Sequence, residues 1–448
     1  MRLILENINK IKNADIELNG LTVIAGANDS GKSTVGRVLF SVTKALINGL
    51  NNNDKDKIKS IKERFSSLHR RLSSIRTIDR RLLLDYFSPI ETSRKFEALL
   101  SSVDANTASV QKELFKIVDE KSSIIESLDI APRHKSLALK DLVAIKNLLA
   151  ESDDYGSRFR NEFQNQIESE FSYNICSVAT ECSEIHFYSD YGSAKIKMKE
   201  NEIIKGYLDK DFDYSLTDVT FVETPLYLHL MDALYRTSTY KELENKRATI
   251  GLSFGMVSVH IKDLMDKLDY SKYLHNNSLF SRMDSFNIES IIGGHFVYDK
   301  KSKSLLLVKD ERGQTFRYSP VNVASGIKSF GLVQLLLEMD FINESKMLIW
   351  DEPENHLHPQ WQIEFAHLLV KLAKSGIPVV VSSHSPYFIQ GIRYFSNEEK
   401  MDSYVNYYLA ENEDGVDGLS EIRNVTDDLN QVFVKLAEPL NQIMNLNK

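Results

Sequence analysis

Cysteine is nearly absent. The 448 residues hold two, Cys176 and Cys182. Neither lies in a Cys-x-x-Cys pair, which excludes a cysteine-built zinc site and leaves two plain thiols, read as reduced. Long apolar runs are missing too: none approaches the ~20 residues of a membrane span. The opening Met1-Arg2-Leu3-Ile4-Leu5-Glu6 meets an acid early and offers no small-residue cleavage site, so a signal peptide is not expected and the cytoplasm is. Positive charge is not in excess. With 55 Lys and Arg against 63 Asp and Glu the net charge is −8, which disfavours a nucleic-acid surface covering the whole molecule but leaves room for a local basic patch. Apolar residues at 42% and charged residues at 26% describe an ordinary globular chain, neither disordered nor membrane-embedded. Its length suits two or three domains of ~150 residues, or one large core carrying an insertion.

What is present centres on Met347 to Pro359, Met-Leu-Ile-Trp-Asp-Glu-Pro-Glu-Asn-His-Leu-His-Pro. The uncharged run Met347 to Trp350 is what a strand buried on both faces of an α/β sheet requires. Asp351 and Glu352 then emerge at its C-terminal edge, where open α/β sheets bind ligands. One carboxylate can hold a metal while its neighbour orients or deprotonates water. The pattern reads as a Walker B strand with a catalytic glutamate.

Near the N-terminus, residues 2 to 8 and 15 to 18 suggest a strand pair before a third strand, Leu21 to Ala25. That strand runs into Gly26-Ala27-Asn28-Asp29-Ser30-Gly31-Lys32-Ser33-Thr34, a complete Walker A pattern in its strand-to-helix context. Loop amides at a helix N-terminus cradle phosphates, Lys32 reaches the β- and γ-phosphates, and the Ser33 hydroxyl completes a Mg²⁺ shell.

From Asn51 the composition changes to scattered apolar positions, many charges and few glycines, the mark of a helical insertion. Within residues 55 to 81, ten Lys or Arg face three acids, while Ile58, Ile61, Phe65, Leu68 and Leu72 fall at helical spacing. One side packs and the other is basic, offering a surface to nucleic acid or an acidic partner, although a solvated helix face is the commoner use of such a pattern. Residues 184 to 199 read as a hairpin and 218 to 222 as a short strand stopped by Pro225. Leu226 to Phe286 is mostly helical in pattern, with His229, His260 and His275 standing singly as core or surface histidines, since no second ligand lies at metal spacing. Ile288 to Tyr318 reads as an antiparallel meander.

Ala324-Ser325-Gly326-Ile327-Lys328-Ser329 opens an apolar helix through Leu337, and a serine and glycine at a helix start form an anion site. Pro359 begins a helix to Lys374, closed by Gly376 and Pro378. The next strand, Pro378 to Val381, leads to Ser382-Ser383-His384-Ser385-Pro386, placing His384 within reach of a γ-phosphate. Residues 403 to 409 suggest an edge strand, and Asp427 onward a helix broken by Pro439. Glu411, Glu413, Asp414 and Asp417 read as a hairpin tip.

The order Walker A, long insertion, Ser-Gly signature, Asp-Glu-Pro-Glu-Asn-His-Leu-His-Pro and Ser-Ser-His-Ser-Pro resembles the ABC-type AAA ATPases of the overcoming-lysogenization-defect (OLD) group, with relatives in the Septu and PARIS antiphage systems. RecF-like and SMC-like heads are more distant kin. The likeness covers roughly residues 1 to 50 and 285 to 395. It implies an α/β fold, a P-loop NTPase with an ABC-ATPase-like head formed by residues 1–50 and 285–448, and a mainly helical insertion with a few strands at 51–284. It further implies ATP and Mg²⁺ as cofactors and head-to-head dimerisation on ATP. Gly26, Asn28, Asp29, Ser30, Gly31, Lys32, Ser33 and Thr34 would hold the nucleotide, Ser33 and Asp351 the metal. Glu352 would polarise the attacking water, with His384 as the switch histidine, and Ser325, Gly326 and Lys328 would act in trans. Two features depart from transporter cassettes: Ile327 stands where a second glycine is usual, and no glutamine marks a Q-loop. OLD proteins carry a TOPRIM nuclease domain after the switch histidine. Only residues 385–448 follow His384 here, so an ATPase without its own nuclease is expected, working as sensor or scaffold beside a separate effector protein. A DNA-maintenance head binding duplex through the insertion, and a nucleotide-gated scaffold with little hydrolysis, are the other two readings.

Overall fold

The computed structural model describes residues 1–51, 108–150, 155–172, 174–177, 180–209, 215–230, 258–273, 288–412 and 418–446, with 212, 286 and part of 61–96. The chain forms two compact units, Met1–Ile47 with Phe159–Lys448, and Asn48–Arg158. In chain order the strands are β1 (Arg2–Ile8), β2 (Ile11–Glu17), β3 (Leu21–Gly26), β4 (Ser183–Ser189), β5 (Gly192–Lys199), β6 (Glu202–Leu208), β7 (Asp218–Val222), β8 (His295–Asp299), β9 (Ser304–Glu311), β10 (Gln314–Tyr318), β11 (Lys346–Asp351), β12 (Val379–Ser383), β13 (Val405–Asn412) and β14 (Ser420–Asn424). The helices are α1 (Lys32–Asn51), α2 (Arg80–Phe87), α3 (Ala108–Ser127), α4 (Pro132–Ala150), α5 (Tyr155–Phe171), α6 (Val259–Asp269), α7 (Ile288–Ile292), α8 (Ser325–Glu338), α9 (Pro359–Lys374), α10 (Pro386–Glu398) and α11 (Asn430–Leu446).

The first unit is a mixed α/β structure built on an eleven-stranded sheet in the order β6-β5-β4-β1-β2-β14-β13-β3-β12-β11-β7. Its parallel half, β13-β3-β12-β11-β7, is the part buried on both sides. All six residues of β3 and all five of β12 are buried, as the continuous apolar runs of these strands require. In the antiparallel half, β1, β2, β4 and β5 bury alternate positions, the pattern of a sheet with one wet face. Behind β11, Trp350, Phe365 and Phe330 pack edge to face at 5.0 and 5.1 Å between ring centres. At the far end of β7 a charged quartet, with Lys267 buried and the other three half-buried, ties α1 and α6 to the sheet. Lys44 pairs with Asp218 and, at 2.7 Å, with Asp263, while Lys267 lies 2.9 Å from Asp218 and 2.7 Å from Asp263.

Four expectations are corrected here. The insertion was expected to span 51–284, but the second compact unit ends at Arg158, because β4, β5, β6 and β7 hydrogen-bond into the main sheet. Residues 403–409 were expected to form an edge strand. Instead β13 lies between β3 and β14, and Tyr407, Tyr408, Leu409 and Ala410 are all buried, so it is apolar on both faces. The meander begins at His295 rather than Ile288, since Ile288–Ile292 is the short helix α7 that buries Ile288 and Ile292. The expected hairpin at 184–199 continues into an unexpected third strand, β6, which closes the sheet at its edge.

In the second unit, Ile61, Phe65, Leu68 and Leu72 are buried in one core with residues of α3 and α4. The apolar side of the basic stretch therefore packs. Arg64, Arg80 and Arg81 are exposed, and Arg71 pairs with Asp141 at 3.3 Å. Ile58 and Arg70 of this stretch lie outside the described residues, as do His275 and the tip residues Glu413, Asp414 and Asp417.

Candidate functional site

Three neighbouring parallel strands deliver the site. The register sets Asp351 of β11 opposite Ser382 of β12, and Ser382 opposite Ile24 of β3, so the phosphate loop, the acidic pair and His384 leave the sheet at the same edge. This is the edge at which an open α/β sheet binds its ligand.

The loop is shaped by two glycines. A side chain on Gly26 would begin 2.5 Å from the Ala410 carbonyl oxygen of the adjoining strand, and Gly31 takes a φ of 85° with Ile11 packed against it. Asp29 also has positive φ, 67°, and pairs with Lys10 at the mouth of the loop. The Ser30 hydroxyl donates to the Ala27 carbonyl at 2.8 Å, and Lys32 Nζ donates to the same carbonyl at 2.6 Å. Lys32 is thus folded back over its own loop, where an incoming phosphate would take over from the carbonyl. Burial lowers its pKa, against the pull of Glu352, Asp351 and Glu354. Asn28 and Asp29 are exposed on the loop, and the Thr34 amide donates to the Gly31 carbonyl at 3.1 Å as α1 begins.

Asp351 is buried. It accepts a short hydrogen bond from the Ser382 hydroxyl, with the Ser33 hydroxyl also against it. Burial raises its pKa, the two hydroxyls oppose that, and the charges of Glu352 and Glu223 add to it. An excess of negative charge on a buried, oxygen-only donor set is what a hard divalent cation relieves, so Ser33 and Asp351 fit Mg²⁺. Glu352 occupies a left-handed φ of 45°, which throws its side chain out of the strand direction. Its carboxylate accepts from Asn355 Nδ2 at 2.9 Å and faces His384 Nδ1 at 3.3 Å. The His384 ring, aided by Asn355 and opposed by burial, brings the Glu352 pKa down to about 2, and Glu352 raises that of His384.

Glu354 is a residue that the sequence reading left without a role. It is 4% exposed, and one oxygen, Oε1, accepts from the Ser383 hydroxyl at 2.8 Å, the His384 amide at 2.6 Å and the Ser385 amide at 3.1 Å. It pins the turn that carries His384, whose Nδ1 it also faces at 3.3 Å. The second acid of the Asp-Glu-Pro-Glu run is the signal that could have found it. Glu223, immediately after β7, is another such residue; its signal is an acid ending the apolar run Val219 to Val222.

Ser325, Gly326 and Lys328 stand at the start of α8. Ser325 opens α8 and donates to the His356 carbonyl at 3.2 Å, while Gly326 packs against Leu357 and Trp361. Lys328 is turned inward, buried, with Nζ 3.3 Å from His229 Nδ1, and burial lowers its pKa.

A family model described as an AAA ATPase domain matches residues 1–389. An uncharacterized protein of Methanocaldococcus jannaschii is 24% identical over 277 residues, 58% of this chain and 32% of that protein. The chain thus spans about a third of the length of the curated relative it matches. Among solved structures, an SMC head domain from Thermotoga maritima aligns over 95% of this chain and 98% of its own at 11% identity and a TM-score of 0.36. An SMC head from Pyrococcus furiosus, solved with the C-terminal domain of ScpA, covers 97% and 98% at 12% identity and 0.36. The ADP conformation of an ABC-transporter ATP-binding cassette covers 100% of both chains at 11% identity and 0.30. Among the described residues no helix is long and apolar enough to cross a membrane.

Proposed function

Because the chain belongs to the AAA ATPase domain family, we propose that it binds ATP on the Gly26–Thr34 loop, hydrolyses it, and dimerises head to head as it does so. The observation that carries this reading is the convergence of Lys32, Ser33, Asp351, Glu352 and His384 at one edge of three adjacent parallel strands.

Each residue has a distinct task in the cycle. Loop amides and the α1 N-terminus take the phosphates. Lys32 leaves the Ala27 carbonyl for the β- and γ-phosphate oxygens. Ser33 and Asp351 would hold Mg²⁺, whose chemistry is to neutralise charge developing on the transferred phosphoryl group. Glu352 orients the attacking water, and His384, paired with it, senses the γ-phosphate. A carboxylate held near a pKa of 2 stays ionised, so Glu352 acts through charge and hydrogen bonding on the water while the proton leaves with the phosphate product. Ser325 and Gly326 of a second copy complete the site from across the dimer, with Lys328 released from His229 on closure.

At the level of biology, the chain serves in this reading as a cytoplasmic sensor or scaffold of an antiphage defence system, acting with a separate effector, a nuclease or toxin. The effector docks on the second compact unit through the basic surface of residues 55–81, of which Arg64, Arg80 and Arg81 are exposed. Nucleic acid is the competing ligand for that surface. The test is to purify the chain and measure phosphate release with ATP and Mg²⁺ together with sedimentation. Turnover and an ATP-dependent dimer support the reading, whereas absence of nucleotide binding overturns it. Co-purification of a neighbouring gene product that is lost on neutralising residues 55–81 supports the effector assignment. Cleavage of DNA or RNA by this chain alone, abolished by an acidic substitution away from Asp351 and Glu352, overturns it.

A further inference from the structure

His260 is 1% exposed and lies between two carboxylates. Its Nδ1 is 2.6 Å from Glu170 Oε2 and its Nε2 is 3.3 Å from Glu223 Oε2, while its own backbone N–H donates to Glu170 Oε1 at 2.8 Å. A neutral imidazole has one N–H and one lone pair, so it would turn that lone pair on one of the two carboxylates. Only the doubly protonated ring satisfies both. Phe40 and Phe221 flank the ring at 6.2 and 4.7 Å between centres and exclude water from it. Burial opposes the charge and the two carboxylates outweigh it, leaving the His260 pKa above its ordinary value. A buried imidazolium of this kind is expensive unless fully paired, and a core aromatic or aliphatic residue would fill the space without that cost.

What the imidazolium holds is Glu223. The pairing of Val222 with Trp350 makes Glu223 level with Asp351 on the neighbouring strand, and its charge acts on Asp351. The acidic edge is therefore flanked on both sides, by His384 after β12 and by Glu223 after β7. Glu223 is also held from α1, where Arg37 donates to Oε1 at 2.8 Å, and from its own following turn, where the Tyr227 hydroxyl donates to Oε2 at 2.8 Å. Among the described residues, Glu170 on α5 and His260 on α6 hydrogen-bond to each other, and His260 to Glu223, rather than to the phosphate loop or the acidic pair. Among the described residues Glu223 is their hydrogen-bonded link to the sheet edge, beside the ring contacts of His260 with Phe40 of α1 and Phe221 of β7.

We infer that Glu170 and His260 are positioning residues of the ATP site, which hold Glu223 as a third carboxylate oriented toward the reacting water from the β7 side. This rests on the hydrolytic reading above. Binding of ATP relies on the loop and Lys32, so loss of the pair should fall on turnover rather than on nucleotide affinity.

The test is a cycle of amide variants: Glu223→Gln, the double variant Glu170→Gln with His260→Gln, and the triple combination, with thermal melts to confirm folding. The double variant removes both buried charges together, so it avoids stranding one of them. Expected are a kcat lowered roughly 10- to 100-fold in both Glu223→Gln and the double variant, KM for ATP within about threefold of the parent, and no further loss in the triple. A folded double variant with parental kcat, or losses that multiply in the triple, overturns the inference. Glu352→Gln run beside them separates the two levels. If Glu352→Gln leaves turnover intact the hydrolytic reading itself falls; if it abolishes turnover while the cycle is multiplicative, only the positioning role falls.

Discussion

His384 Nδ1 stands 3.3 Å from Glu352 Oε1 at the end of two neighbouring strands, a pairing in which each group favours the other's charged form. Its consequence is that the carboxylate presented to water is a fixed charge rather than a titrating base at neutral pH. Removing that charge while keeping the shape, Glu352→Gln, should leave ATP binding intact and lower hydrolysis by roughly 10²- to 10⁴-fold. Trapped ATP dimers should accumulate in sedimentation. Turnover at the parental rate would show that the catalytic carboxylate is another residue.

Ser325→Arg places bulk and charge where the γ-phosphate of a second copy would sit. One copy should still bind ATP, but closure should fail. Mixing Ser325→Arg with Lys32→Ala gives each heterodimer one intact composite site, and in an equal mixture about half of the dimers are heterodimers, so partial activity should return. Normal ATP-driven dimers of Ser325→Arg alone would sink the assignment in trans.

Glu354 takes three donors on one buried oxygen. Glu354→Ala leaves them without a partner and should cost about 1–3 kcal/mol of stability, with loss of hydrolysis because the His384 turn is no longer pinned. Glu354→Gln keeps an acceptor oxygen and should cost less. Urea unfolding of the two variants distinguishes them; equal costs would count against this account.

Lys267 lies between Asp218 and Asp263 with Lys44 opposite. Lys267→Met leaves two half-buried carboxylates sharing one ammonium and should destabilise by roughly 2–4 kcal/mol, below the cost of stranding a fully buried charge. A melting temperature close to that of the parent would contradict this.

Burial lifts the Glu338 carboxyl to about 7, with a hydrogen bond from Gln334 opposing and Glu289 assisting. A raised folded-state pKa means the folded protein holds a proton that the unfolded chain has already lost. Stability is then greatest below the ordinary carboxyl pKa and falls as pH rises toward about 7, by roughly 1.4 kcal/mol per pH unit inside that window. Glu338→Gln should flatten the dependence, so that the variant gains on the parent between pH 5 and pH 8 in denaturant unfolding. A constant difference across that range would refute the assignment.

Residues whose task is set by their neighbours in the chain were legible from the sequence. Gly26 to Thr34 is the turn between a buried strand and a helix, Met347 to Glu352 is a buried strand ending in acids, and Pro359 to Lys374 carries its helix start and stop in its own composition; the structure has α9 at those limits. Local pattern was also enough for the β4–β5 hairpin and for β7. The rest depends on pairing between distant segments, where period and propensity say nothing. β13 reads as an edge strand until β3 and β14 are hydrogen-bonded on either side of it. His260 reads as a lone core histidine because its partners are 90 and 37 residues away in the chain, and only the packing of α5 and α6 against the end of β7 turns three isolated residues into one charged network. Charge placed against charge in a buried space is a tertiary decision: the side chains name what can ionise, and the fold alone decides which of them must.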